Sequence, residues 1–420
     1  MPLCGGVEMQ GVWRLLFGAW LGQRDAMDFD TIIIGAGAAG LMCAAHSGGR
    51  TLVLDHAKAA GEKIRISGGG RCNFTNLGTE PSNFLSRNPH FCKSALSRYT
   101  QWDFIDMVNR HQIAWHEKTL GQLFCDVSSK QIVAMLLAEA RAAGAEVRVG
   151  VSVRSVKAEG AGYIVETEAA GRGAALRCRN LVLASGGKSI PKMGATGLAY
   201  DIAQKFGLGL TETRPALVPL TFADQRFAGI SGVSAPSRVT AGAGAFDEAV
   251  LFTHRGLSGP AILQASSYWR EGDVVEMNLD PEGMLPDHLR GARQQQGKRA
   301  VSTVLTQVLP ARLIDHLSGE MAFDGRIGDQ SDMALGALCA GLQGWQLRPD
   351  GSEGYRTAEV TLGGVDTDGI SSKTMEAKAK AGLYVIGEAL DVTGWLGGYN
   401  FQWAWSSGWA AGQAIAAGRG

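Results

Sequence analysis

The run Gly35-Ala-Gly-Ala-Ala-Gly40 has the residue types and spacing with which a chain holds the pyrophosphate of a dinucleotide. Gly35 permits a tight turn, Gly37 lets main chain approach the phosphates, and Gly40 lets a following helix pack close to the preceding strand. The first N–H groups of that helix, at Ala38 and Ala39, then face the anion. Asp55 stands twenty positions after Gly35, where a carboxylate accepts hydrogen bonds from ribose hydroxyls. In a chain with 58 glycines the spacing alone is weak. Its surroundings give it weight: the apolar run Phe29–Ile34 before it, a small-residue helix from Ala38 to about His46 after it, and a second apolar strand over Thr51–Asp55. A strand, glycine turn, helix and strand around a bound dinucleotide are therefore predicted.

Other stretches can serve the same ligand. Between His56 and Asn76, Lys63 and Arg71 flank the triple glycine 68–70. Its N–H groups can form a nest for a phosphate or for the polar edge of a flavin; the same composition also fits a mobile surface loop. The strand Arg177–Leu183 runs into Ala184-Ser-Gly-Gly187, either a plain turn or main chain brought up to a bulky ligand. Gly382–Glu388 is a further strand ending in glycine and acid, so the first and last portions of the chain are expected to share a sheet. After Gly397-Gly398 a helix runs from about Tyr399 through Gln413. The N–H groups of its first turn, at Asn400 and Phe401, suit the edge of a flavin ring that becomes anionic on reduction. Leu251–Leu263 places His254 and Arg255 before a glycine bend, either as proton donor and anion contact or as a structural bend. Trp403, Trp405 and Trp409 read as packing.

Gly35–Gly40, Lys63, Ser67-Gly-Gly-Gly-Arg-Cys-Asn73 and the ending Gly387–Gln402 closely resemble the bacterial YhiN-like flavoproteins. That family of NAD(P)/FAD-dependent oxidoreductases includes the BaiN-type bile-acid reductases. The resemblance runs from Asp28 to Gly420. It implies an α/β fold in which a discontinuous Rossmann-like FAD-binding domain carries a small β-barrel-like domain and a helical insert. It also implies non-covalent FAD, with Val153 main chain at the adenine, Ser185 and Gly186 beside the cofactor, and Glu388 at the ribityl hydroxyls. Gly70, Arg71 and Cys72 join Lys63 as cofactor contacts. The divisions that follow are an extension over 1–27, the FAD domain over 28–210 and 356–420, the barrel over 211–280 and 343–355, and the insert over 281–342.

The elements that must position these residues are coarser readings. Asn88–Arg110 is amphipathic, with Trp102 and Phe104 (and Trp115 beyond) as core; Ser128–Ala143 is a second helix. Segments Glu146–Ser155 and Tyr163–Glu168 are β-like, short strands replace helical period over 211–280, Lys298–Leu317 is helix-like again, and Gly344–Glu353 returns to β structure.

Forty basic residues balance forty acidic ones, so no global field recruits nucleic acid or an anionic membrane. The expected partner is a small molecule, with no nucleic acid and no membrane; oligomeric state is unknown. Seven scattered cysteines without a Cys-x-x-Cys pair indicate neither a disulfide framework nor zinc, and fit a cytoplasmic location. Val12–Leu21 is apolar but interrupted by Arg14 and well short of the roughly 20 residues a span needs, so residues 1–27 read as an upstream extension or a misplaced start. A single glycine cradle leaves no second domain for a stably bound nicotinamide nucleotide. The reading is an FAD-dependent oxidoreductase exchanging hydride between flavin N5 and a small molecule, with NAD(P)H as a candidate transient donor. The alternatives are an RNA-associated flavoprotein and a non-catalytic FAD-binding protein.

Overall fold

The computed structural model describes residues 27–321 and 323–419. The extension read over 1–27, apart from Met27, lies outside them, as does Cys4. The chain opens with β1 (Phe29–Ile34), α1 (Ala38–Ser47), β2 (Thr51–Asp55), α2 (Glu62–Gly70), β3 (Asn73–Asn76), β4 (Glu146–Val149), β5 (Ser152–Glu159), β6 (Gly162–Ala169) and β7 (Arg172–Leu183). A second unit contains β8 (Arg214–Ala216), β9 (Leu220–Thr221), β10 (Ser234–Ala241), β11 (Gly244–Thr253), β12 (Gly256–Ser258), α3 (Pro260–Ser266), β13 (Val275–Asn278), β14 (Trp345–Leu347) and β15 (Gly351–Ser352). The chain then returns through β16 (Val360–Leu362) and β17 (Leu383–Val385) to α4 (Tyr399–Ala417).

The main sheet has the order β4-β2-β1-β7-β6-β5, with β17 also paired to β7. Its apolar strands explain this: β1, β2 and the second half of β7 are covered on both faces and lie parallel, with Ile32 opposite Leu52 and Leu181. β7 is long enough to do two jobs. Its first half pairs antiparallel with β6 and its second half parallel with β1 and β17. Because β2 and β7 lie on opposite sides of β1, a crevice opens at the carboxyl ends of these strands, where nucleotides bind in such sheets. The C-terminal helix α4 crosses α1 closely: a Cβ added at Gly408 would stand 2.5 Å from the Ala39 carbonyl oxygen.

The second unit is a sheet of order β14-β13-β10-β11-β12-β9-β15. Its two edge strands are separated in the chain by only Arg348, Pro349 and Asp350, so the sheet curls until its edges nearly meet. The helices of the insert, Leu285–Gln295, Val301–Leu305, Ala311–Leu317 and Asp332–Gln343, share one apolar core with that sheet, including Leu289, Leu313 and Phe252. The insert thus completes the barrel's core rather than forming its own. A two-stranded ribbon of β8 and β16 joins the two units.

Several local expectations need correction. Trp102 is 56% exposed, because it lies on the outer face of a helix that buries Phe104 and Ile105 instead. Asn88–Arg110 is two helices, Lys93–Arg98 and Gln101–Arg110, divided where Thr100 caps the second by accepting from the Asp103 N–H. The helical stretch over 298–317 is likewise divided ahead of Pro310. A short helix from Glu62 precedes the triple glycine and breaks at Ser67, so the glycines themselves leave helical geometry with positive φ.

Candidate functional site

The cradle forms where the turn after β1 meets the end of β7. A Cβ at Gly35, whose φ is +117°, would lie 2.4 Å from the Ala184 carbonyl oxygen, and one at Gly40 would lie 1.9 Å from that of Gly35. Only glycine lets the strand, the turn and α1 come this close. Gly37 differs: an added Cβ meets nothing within 4 Å, so space stands open at the head of α1. That ten-residue helix has neither a side-chain cap nor an acidic residue in its first turn. Its positive end and free N–H groups at Ala38 and Ala39 therefore face an opening with room for a pyrophosphate.

Asp55 is held beside the same turn. Its Oδ2 accepts from the Ala36 N–H at 2.7 Å and its Oδ1 from the Ala57 N–H at 2.9 Å, and each oxygen retains a lone pair for a ribose hydroxyl. The Val151 N–H donates to the Asp55 carbonyl at 2.9 Å, which brings Val153, two residues on and at an irregularity in the β5–β6 pairing, to the same end of the sheet.

On the other flank, Glu388 draws together three other segments of the chain. Its Oε2 accepts from Lys63 Nζ of α2 at 2.9 Å, and its Oε1 accepts from the Ser189 hydroxyl at 2.9 Å and the Thr361 N–H of β16 at 2.9 Å. Lys63 also donates to Ser189 at 2.7 Å. Burial pushes the Glu388 carboxyl up, but the Lys63 charge and these hydrogen bonds outweigh it and hold the group below its ordinary range. A second carboxylate, Glu359, feels the same ammonium: burial raises its pKa and Lys63 offsets part of the rise. Gly186, at φ +73°, passes next to this network, with Ser185 half-buried beside it; an added Cβ at Gly186 would stand 3.8 Å from Glu388 Oε2.

The remaining predicted residues divide. Gly70 lies at the end of α2, where Gly68, Gly69 and Gly70 all have positive φ and Gly69 and Gly70 border open space. Arg71 is exposed next to them. The Cys72 thiol is fully buried and burial raises its pKa strongly, so only its main chain can serve a ligand. The Asn400 side chain is also occupied: Oδ1 accepts from the Gly394 N–H at 2.8 Å and Nδ2 donates to the Gly394 carbonyl at 2.8 Å. Phe401 stacks on Trp405 with ring centroids 5.6 Å apart. What Asn400 and Phe401 offer is the free N–H groups of the first turn of α4. His254 and Arg255 form the exposed two-residue turn between β11 and β12, with Arg255 Nη1 3.9 Å from Glu353 Oε1. No hydrogen bond among the described residues joins this turn to the cradle.

Sequence reading missed Ser189, Thr361 and Glu359. Ser189 follows the Ser185-Gly-Gly187 turn by two residues and Thr361 opens Thr361-Leu-Gly-Gly364, so proximity to glycine turns was the available signal. It also missed how the head of α4 is set. Asn76 Nδ2 donates to the Gly397 carbonyl at 2.9 Å, and the Leu396 N–H donates to Gln264 of α3 at 2.9 Å, tying the second unit to this turn.

A sheet with parallel central strands, an open glycine cradle, an anchored carboxylate beside that cradle and a second carboxylate on the other flank accommodates FAD without covalent attachment; the class is that of FAD-binding α/β oxidoreductases. The chain belongs to the HI0933-like Rossmann family, whose sequence profile matches residues 29–414. It is 51% identical over 401 residues to the ribosomal RNA dihydrouridine synthase of Escherichia coli (strain K12), covering 93% of this chain and 98% of that protein. A Haemophilus influenzae protein of the same name is 46% identical over 397 residues, covering 92% and 98%. The 3-dehydro-bile acid delta(4,6)-reductase of Clostridium scindens is 28% identical over 408 residues, covering 91% and 98%, in keeping with the resemblance read from the motifs. Among solved structures, the 3-ketosteroid-delta4-(5alpha)-dehydrogenase of Rhodococcus jostii RHA1 shares the fold, with a TM-score of 0.51 at 14% identity over 94% of this chain and 98% of that one. Among the described residues no helix is long and apolar enough to cross a membrane.

Proposed function

We propose that this chain is an FAD-dependent reductase of a uridine in ribosomal RNA, forming dihydrouridine. The observation that carries the reading is 51% identity to the Escherichia coli enzyme of that name, over nearly the full length of both proteins. The expectation of a small-molecule substrate and no nucleic-acid partner is revised accordingly. It rested on a net charge of zero, and net charge does not describe how charge is distributed around a site mouth. The small-molecule reading is kept as the second, on the 28% identity to a bile-acid reductase.

When bound, the flavin supplies hydride at N5. In uracil, C6 is β to the C4 carbonyl and is the carbon that accepts hydride; a proton goes to C5 and the C5–C6 double bond becomes single. The reductant we propose is NAD(P)H, binding transiently.

The chain's own contribution is to hold and orient. Gly35, Gly37, Ala38, Ala39 and Gly40 would line the pyrophosphate, Asp55 the ribose and Val153 the adenine. Ser185, Gly186, Lys63 and Glu388 would meet the ribityl chain, and the main chain of Gly70, Arg71 and Cys72 would border the ring. The N–H groups of Asn400 and Phe401 would stabilise negative charge at its pyrimidine edge. His254 is the proposed proton donor and Arg255 the proposed phosphate or base contact; their exposure on a turn suits an RNA that comes from outside.

The test is mass spectrometry of ribosomal RNA digests from cells lacking the gene, with and without the gene restored. One uridine should become two hydrogens heavier only when the gene is present. His254→Gln should keep its flavin and lower product formation by ~10²-fold. An unchanged uridine, with turnover of an unsaturated small molecule instead, would favour the second reading.

A further inference from the structure

A cavity of about 620 Å³ opens at the edge of the main sheet opposite the cradle, between the amino ends of its strands and the last turns of α4. Its wall carries Arg98, Arg179, Lys373 and Arg419 against two carboxylates, Asp30 and Glu376. One oxygen of each carboxylate is held by main chain: Asp30 Oδ2 accepts from the Arg50 N–H at 2.9 Å and Glu376 Oε1 from the Gly382 N–H at 2.7 Å. None of the four cations lies within ion-pair distance of a carboxylate among the described residues, whereas Arg148, Arg238 and Arg293 each pair with one. Arg98 instead donates to the carbonyls of Ser94 and Lys373 and lies 5.4 Å from the ring of Trp409. Arg419 donates to the Gly48 carbonyl, and its Nε is buried without any acceptor.

Four cations against two carboxylates leave an excess of positive charge around one cavity, and none of the four is paired among the described residues, so they repel one another. An anion in the cavity relieves that repulsion. Burial lowers the pKa of Arg98, as expected of a guanidinium lacking an anionic partner. We propose that this cavity binds a phosphate-bearing ligand, through forked hydrogen bonds from the arginines and the point charge of Lys373. The phosphates come either from an RNA backbone or from a free small phosphate. From Asp30 to Gly35 the strand rises about 16 Å, at roughly 3.3 Å per residue. A ligand here is therefore out of hydride reach of the cradle and acts as a second, non-reacting contact. The inference goes beyond uridine reduction and does not depend on it.

The experiment uses holoenzyme with FAD bound, so that the phosphate cradle at α1 is filled. Native chain and the double variant Arg179→Ala, Lys373→Ala are compared. Both side chains are exposed and neither makes a hydrogen bond to another described residue, so the fold is preserved; retained flavin verifies it. Inorganic pyrophosphate is titrated by calorimetry, and a ribosomal RNA fragment is titrated across salt concentrations. Pyrophosphate affinity that falls tenfold or more in the variant supports the site. A slope of log affinity against log salt that shrinks by about 1.4, for two lost contacts to single-stranded phosphates, supports it with RNA as the source. Loss of pyrophosphate binding with an unchanged RNA slope assigns the cavity to a free phosphate. If neither probe distinguishes the variant from the native chain, the proposal is overturned, whatever becomes of the uridine reading.

Discussion

Asp55 is the residue we propose for the cofactor's ribose, and both of its oxygens are already oriented by main-chain N–H groups. Asp55→Ala should lower FAD affinity by about 1.5–3 kcal/mol, the range for hydrogen bonds to a charged group, while the remaining bound flavin is reduced at an unaltered rate. Fluorescence titration of apoprotein with FAD checks this, and an unchanged affinity would take Asp55 out of the site. Glu388 gives a pH signature. Its folded pKa lies below the ordinary value of 4.5, so its contribution to stability is present above about that pH and is lost as pH falls through the folded value. Glu388→Gln should therefore flatten the acid limb of a plot of thermal midpoint against pH, below about 4.5, and change its shape little above pH 6. At this scale the glycines and Asp55 were legible from their spacing, and Glu388 from the family resemblance. Ser189 and Thr361 were not, because they reach Glu388 only through contacts 199 and 27 positions apart in the chain. Nor could the sequence tell that Cys72 and Asn400 turn their side chains away into buried and hydrogen-bonded positions, because motif spacing places a backbone but does not say where the side chain turns.

Among the elements, α1 and α4 have to be considered together, because the helix whose positive end we propose for the cofactor is braced by the C-terminal helix. The brace depends on Gly408 and Gly412, where an added Cβ would lie 2.5 Å from the Ala39 carbonyl oxygen and 2.8 Å from that of Cys43. Gly408→Ala should destabilise the protein by about 1–3 kcal/mol, the usual cost of overpacking, and weaken FAD binding with it, since the displaced backbone belongs to the first turn of α1. Gly336→Ala is the matched control. It lies mid-helix in Asp332–Gln343 with nothing within 4 Å of its would-be Cβ, and should gain about 0.5–1 kcal/mol with no change in flavin affinity. Chemical denaturation and flavin titration of both variants separate the two outcomes. The strands of the main sheet could be read from the sequence because they are continuous apolar runs. The Thr100 break and the exposed face of Trp102 could not, because a helical period over twenty residues does not reveal which helix it belongs to or which face the tertiary core takes.

For the whole molecule, the arrangement is two apolar cores in one chain. One surrounds the main sheet and holds Ile32, Val182, Trp403 and Trp405; the other surrounds the second sheet and the insert helices, with Val239, Phe252 and Leu313. Between them run the β8–β16 ribbon with its small cluster of Ala216, Leu217 and Val360, and the side chain of Trp395, which packs against both cores. A link this narrow transmits orientation but little of either core's stability. The cradle is built entirely from residues of the first core's unit, so FAD should act on that unit alone. At about 100 times its dissociation constant a ligand adds about 2.7 kcal/mol to the state that binds it. Calorimetry of apoprotein should therefore resolve two transitions, of which only one rises on adding FAD, with flavin release tracking that transition. A single transition that moves as a whole would mean that Trp395, the ribbon and the bonds from α3 to the Leu396 turn couple the units strongly, and that the barrel helps to hold the cofactor directly.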